Sequence, residues 1–246
     1  HTLLTDTIRR MDMEGETMAE GDLLLNQAFF NPMELHNSGI EPFLKGMGVQ
    51  IQQDMDHQVI DAVRNFLFGP PGAGGLDLAS INIARGRERG IPNLNQVRVA
   101  FGLAPHGTFE DLTGETTVSP ILENLYVSVD SVDSWVGMLA EYHMPNALFG
   151  ETIMTVMEDQ FAALRDGDRF YYLNDPDLSL EEKELIGSTT MAQIVCRNTA
   201  IPIMQENVFI ATPHDMLCTA DEPFAAIDGG IQTEVLGNVS DVSVSV

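Results

Sequence analysis

Apolar positions recur along most of the chain at three- and four-residue spacing, the signature of helices packed by one face. In residues 1–11, Leu4, Ile8 and Met11 fall at i, i+4 and i+7 and predict a helix, followed by an acidic, glycine-containing loop, MEGETMAEG. Short helices are expected over 22–30 and about 40–48. A clearer one is expected over about 57–68, where Val59, Ile60, Val63 and Leu67 form a stripe. GPPGAGG at 69–75 is a breaker, and without a following Gly-Lys-Ser/Thr it reads as a plain loop rather than a phosphate loop. Asp77 is placed to cap a helix running to Glu88 and ended by Gly90 and Pro92; Asn93 is placed to cap another to about Leu103. Residues 117–127 and 130–142 read as helices around Trp135, and 149–164 as the longest amphipathic segment, with Gly167 as its C-cap. Ser179 and Glu182 form a capping box opening a helix to about Ile186, and a last helix spans roughly 189–198. From about 223 the sequence turns Gly/Val/Ser-rich, so 223–246 is expected to be an extended or flexible tail. The fold class is therefore mainly α, with at most a short hairpin or two.

Composition adds limits. The 246 residues suffice for one large core or two small ones, and 44% apolar residues are ordinary for a globular protein. No apolar run approaches the roughly 18 residues that a membrane helix needs. Net charge is −25, from 37 acidic against 12 basic residues, with Lys45 and Lys183 the only lysines. Such a surface repels nucleic-acid phosphates and anionic lipid, so no nucleic-acid partner and no membrane span are expected. Position 1 is His rather than Met, so the numbering is expected to start inside a gene product, and a missing leader says nothing about export. Cys196 and Cys218 fit either two free thiols or a disulfide.

Generic catalytic signatures are missing: there is no HExxH, GxSxG, CxxC pair or EF-hand loop. His36, His57, His106, His143 and His214 stand among unrelated neighbours and read as surface or hydrogen-bonding residues. The informative stretch is DLASINIARGRERGIPNLNQVRVAFGL at 77–103. Asn82, Arg85 and Arg89 fall at i, i+3 and i+7, so one helix face carries an amide and two guanidiniums, with Leu78, Ile81 and Ile83 apolar. Spacing alone is better met by a helix-end salt-bridge set with Glu88.

That stretch resembles the signature helix of the animal-type haem peroxidases (the peroxidase–cyclooxygenase superfamily), in which Asn, then Arg three residues on, precede Arg-Asp-His-Gly-Leu-Pro. Further similar motifs lie in the same order: HTL at 1–3, AFFNP at 28–32, GIEPFLKG at 39–46, SVDSWVGMLAE at 131–141, LRDGDRFYY at 164–172 and IVCRNTAI at 194–201. The similarity covers about residues 1–218, so residues 1–222 are identified with the C-terminal, proximal half of such a domain, a partial helical domain.

The resemblance implies haem b as cofactor and assigns roles. His1 matches the proximal ligand of the iron. Asn82 matches the asparagine that accepts a hydrogen bond from that histidine's other ring nitrogen, and Arg85 the arginine that pairs with a haem propionate. Phe68, Leu78 and Ile81 match apolar positions lining the pocket. The chemistry suits these types, because a ligating imidazole needs a fixed partner on its second nitrogen and a carboxylate suits a permanently charged planar donor. Arg87-Glu88-Arg89-Gly90 departs from the family by Arg for His. Cys196 and Cys218 match a pair that is disulfide-bonded in secreted relatives, which implies a secreted or extracellular protein.

In that family the distal His and Arg, the calcium loop and the carboxylates able to esterify the haem precede the proximal histidine. They are expected in the rest of the domain, N-terminal to His1, so this chain alone is expected to be nearly inactive. The implied activity is a peroxidase that uses hydrogen peroxide to oxidise a small organic or halide donor. The alternatives are a fatty-acid dioxygenase of the same superfamily and a haem-free structural or adhesive relative.

Overall fold

The structure is a computed structural model that describes residues 1–70 and 72–211. Among the described residues it is mainly α-helical, as expected. The elements in chain order are β1 (Thr7–Ile8), β2 (Leu23–Leu24), α1 (Leu25–Ala28), α2 (Met33–Ser38), α3 (Glu41–Val49), α4 (Asp61–Arg64), α5 (Leu78–Glu88), α6 (Leu94–Ala100), α7 (Phe109–Thr113), α8 (Ser119–Tyr126), α9 (Ser134–Ala140), α10 (Glu151–Gly167), α11 (Leu180–Ser188) and α12 (Met191–Asn198). A 3-10 turn at Val129–Ser131 precedes α9. The chain divides into two compact units. One comprises residues 1–6, 25–30 and 52–168; the other comprises 7–24, 31–51 and the chain from 169.

The first unit is built on α6–α9. Leu94, Phe109, Leu112, Val118, Leu122, Val132 and Ala140 form its buried cluster, joined by Tyr126, Val129, Val136 and Met138. Leu94 and Leu112 are fully buried, each worth about 1.5–3 kcal/mol by transfer from water. Gly137 lets α9 close on α6: a Cβ there would lie 2.7 Å from Leu94 Cδ2. Caps set the ends as the sequence predicts. Asp77 accepts from Ser80 N, and Asn93 and Gln96 form a reciprocal capping box. Gly90 turns the chain at φ 69°, directly after the cap of α5.

A buried ionic network ties α6 to α10. Arg98 donates to Ala104 O (2.7 Å), Thr152 Oγ1 (2.8 Å), Glu151 (2.7 Å) and Glu141, whose side chain is 2% exposed. Glu141 also accepts from Thr152 N (2.7 Å) and lies 2.9 Å from His106 Nε2. Burial pushes the Glu141 carboxyl up. The hydrogen bonds from His106 and Thr152 and the charge of Arg98 outweigh that, and hold it below the usual carboxylate range.

The second unit packs Ala192, Val195, Ile201 and Met204 together, with Leu44, Cys196 and Val208 against them. Its β1–β2 ribbon pairs Thr7 with Leu24 and Ile8 with Leu23. Arg10, 5% exposed, donates to Gly21 O, Glu20 O and Glu34 and so organises the loop between the strands. Gly46 of α3 lies against the Arg9 carbonyl, where a Cβ would approach within 2.1 Å. The Ser179–Glu182 capping box is present and opens α11.

Several expectations are corrected. Residues 1–11 form no helix. Thr2, Thr5, Thr7 and Ile8 are β-branched, and β1 gains partners in β2 that outweigh a three-position apolar pattern. The segment 22–30 accordingly begins as strand and is helical only at α1. Over 57–68 only α4 is helical. Asp61 bonds Arg64 and Asn65, and a bridge between Leu67 and Leu76 draws the chain out of the helix. The 130–142 helix is α9 alone, because Val132 O is taken by Leu94 N and the chain restarts after Asp133. α10 continues through Gly167, which is its last residue rather than its cap. α2 and α7 were not anticipated. The tail at 223–246 and Cys218, with its pairing to Cys196, lie outside the described residues.

Candidate functional site

The segment 1–6 is fixed to its unit from several sides. Leu3 O accepts from Gln53 N (3.0 Å), Asp6 O accepts from Leu25 N (2.8 Å), and buried Thr2 lies 2.9 Å from Met55 Sδ through its hydroxyl. Met55 O in turn lies 2.8 Å from His143 Nε2. This anchors the backbone beside His1 while the His1 ring itself stays exposed.

α5 brings Asn82 to that ring. The Asn82 amide nitrogen lies 3.3 Å from His1 Nε2 across 81 positions of sequence, and also donates to Leu78 O at 2.7 Å. The ring nitrogen nearest Asn82 is thus Nε2, where the resemblance implied contact with the nitrogen not bound to iron. The bond to Leu78 O commits the amide nitrogen and turns it, not the carbonyl, toward the imidazole.

The other sequence-predicted residues flank this pair. Leu78 and Ile81 are half-buried on α5. Arg85 lies one turn beyond Asn82 with 63% of its side chain exposed, 4.0 Å from Glu88. An exposed pair at that distance holds the guanidinium only weakly. Phe68 is 52% exposed and has φ 67°; Phe30, 82% exposed with φ 56°, packs 5.1 Å from it, and Phe29 meets it edge-on at 6.0 Å. Positive φ at two bulky aromatic residues is an outlier that the surrounding structure must enforce.

Two features escaped the sequence reading. Trp135 of α9 stacks on His1, ring centroids 5.7 Å apart and planes at 24°. The N-terminus of α9 is clamped to α5: Arg87 donates to Asp133 through two nitrogens (2.9 and 2.6 Å), and Tyr126 donates to the same carboxylate (2.9 Å). The Arg87 guanidinium holds Asp133 below the usual carboxylate range, while burial and then Asp133 push the Tyr126 phenol up to about 12. The departure at Arg89 leaves this clamp intact, because Arg87 makes the bridge and Arg89 is exposed. Motif matching alone offered Trp135 and Asp133 only as part of SVDSWVGMLAE, without a role.

The residues fit a planar amphiphile carrying carboxylates and a metal: the exposed imidazole of His1 beside Asn82, the exposed guanidinium of Arg85 one turn beyond Asn82, and half-buried Leu78 and Ile81 on the same helix.

Comparison with known proteins gives the same direction. The family model "Animal haem peroxidase" matches residues 1–209. Peroxinectin A of Dictyostelium discoideum is 42% identical over 183 residues, 74% of this chain and 34% of that protein. The peroxidasin homolog of Mus musculus is 35% identical over 233 residues, 91% of this chain and 16% of its own length. The solved structure of peroxidase A from Dictyostelium discoideum superposes with a TM-score of 0.78 at 37% identity, covering 85% of this chain and 40% of that one. A fatty acid alpha-dioxygenase of Oryza sativa shares the fold, with a TM-score of 0.73 at 22% identity over 86% of this chain and 38% of that one. The chain thus spans about a third of the first of these relatives, and it belongs to the animal haem peroxidase family.

Proposed function

We propose that this chain supplies the proximal side of a haem peroxidase, with His1 as the iron ligand, Asn82 as the residue that orients it and Arg85 as the partner of a haem propionate. Phe68, Leu78 and Ile81 line the same face. The observation that carries the reading is the 3.3 Å approach of Asn82 to His1 from 81 positions away.

When bound, haem supplies the iron at which hydrogen peroxide is reduced and an organic or halide donor is oxidised. His1 contributes an imidazole lone pair, which requires the neutral ring. In this reading the His1 ring turns so that Nδ1–H faces the Asn82 carbonyl, in place of the contact between the Asn82 amide nitrogen and Nε2; that would hold the tautomer that leaves Nε2 for the metal. Arg85 is placed to give a propionate a permanent, planar, two-pronged donor. Its loose pairing with Glu88 makes release of that pair cheap. The general acid–base groups and the calcium site belong, in this reading, to the part of the domain that precedes His1. Export from the cell is part of the same proposal and rests on the resemblance of Cys196 and Cys218 to a pair that is disulfide-bonded in secreted relatives. The peroxidase is preferred to the dioxygenase because the dioxygenase resemblance, at 22% identity, carries the fold alone.

The test is guaiacol oxidation at equal iron concentration by the chain, its His1→Ala variant and free haem. Distal acid–base catalysis is typically worth about 10²–10⁴-fold in rate, so turnover by the chain should stay close to that of free haem. Turnover at the level of a whole peroxidase would place the acid–base groups within these 246 residues and overturn the division of roles.

A further inference from the structure

We infer that Trp135 is a positioning residue for His1, setting the plane of the imidazole while Asn82 sets its direction within that plane. The inference rests on the reading of His1 as the iron ligand. Its structural ground is the stacked contact between the two rings, centroids 5.7 Å apart with planes at 24°. Asn82 reaches one edge of the imidazole and limits rotation in the ring plane. A single in-plane contact leaves tilt about the hydrogen-bond axis open. An aromatic face laid against the ring closes that second freedom.

Trp135 suits this role because its backbone is held in place on α9. Arg87 and Tyr126 grip Asp133, two residues earlier. Ser134 donates through its hydroxyl to Pro92 O, and Leu94 N donates to Val132 O. Gly137 admits the close approach of α9 to Leu94. Asn82 is anchored in parallel by its bond to Leu78 O. The Arg87–Asp133 bridge joins the two helices that carry these two side chains. One ion pair thereby keeps both contacts to His1 in register, which gives the clamp a purpose beyond packing.

Ring-current shifts decide the contact without haem. In the apo chain the ring protons of His1 should be displaced by ring current from the positions of the other five histidines, because the imidazole stacks on the only indole of the sequence. Trp135→Leu should abolish the displacement and Trp135→Phe should retain part of it. An unchanged His1 spectrum in Trp135→Leu would overturn the inference. With haem bound, the stacking contribution predicts an affinity loss of about two- to tenfold in Trp135→Leu and near-recovery in Trp135→Phe. The iron–histidine stretch of the ferrous form should broaden or shift in the Leu variant and return in the Phe variant. A Leu variant with native affinity and an unshifted band also overturns it. His1→Ala separates the two ideas: if that variant binds haem as the unchanged chain does, the ligand reading fails, while the ring-current comparison still reports whether Trp135 orders the ring. Urea unfolding and the Phe variant control for loss of fold.

Discussion

Two polar clusters lie in the same unit, and their chains of contact end differently. Around Arg98 the donors are met by Ala104 O, Glu141, Glu151 and Thr152, and His106 and Thr152 complete the Glu141 carboxylate. Around His1 the ring is exposed, Arg85 reaches only a surface glutamate at 4.0 Å, and Phe30 and Phe68 turn large apolar faces to solvent. Each cluster has one member on a helix with a side-chain N-cap, Arg98 on α6 and Asn82 on α5. What separates them is whether the protein itself satisfies the groups. A network whose buried groups are met by one another holds helices together. The His1 set is open, with backbone outliers at Phe30 and Phe68, and in the proposed reading that is what leaves it a capacity to bind.

The difference can be broken open by substitution. Glu141→Ala should be the most damaging change to stability, about 3–5 kcal/mol, because it strands a buried guanidinium. The value should fall at the lower end, since Glu151 still holds one arm of Arg98. Urea unfolding measures it, and a loss below about 1 kcal/mol would mean the pair is replaceable by solvent.

Acid should reach the same network more gently. Glu141 has a folded pKa below its ordinary value of 4.5, so its contribution is fully present above that value and is lost as pH falls through the lower, folded one. The urea midpoint should therefore decline below about pH 4.5. The decline should be shallower in Glu141→Ala; identical slopes would assign acid sensitivity to other carboxylates.

Arg85→Ala should be nearly silent in unfolding, within about 0.5 kcal/mol, as befits an exposed pair at long range. The same substitution should weaken haem binding. A variant that loses stability but not haem affinity would move Arg85 into the structural class.

These contrasts also show what was legible from the amino acids. The caps at Asp77, Asn93 and Ser179 could be read directly, because side-chain capping is local chemistry that needs no tertiary partner. Residues 1–11 were misread because three apolar positions fit a helix as well as a strand, and only pairing with β2 decides between them. α4 was overextended for the same reason: the bridge from Leu67 to Leu76 is not visible in periodicity. In the candidate site, Asn82 and Arg85 are singled out by the order of motifs rather than by spacing, which fits a salt-bridge set better. Trp135 was passed over because stacking between residues 134 positions apart leaves no mark in local sequence.

The central claim is that His1 holds the iron, and optical titration of haem into the chain, His1→Gln and Asn82→Ala tests it most directly. The chain should develop a Soret band with the character of a histidine complex. His1→Gln should lose that band, and Asn82→Ala should keep it with affinity or stability of the complex reduced by about 10–100-fold, as expected for loss of a residue that orients a metal ligand. A Soret band and affinity in His1→Gln equal to those of the unchanged chain would contradict the account.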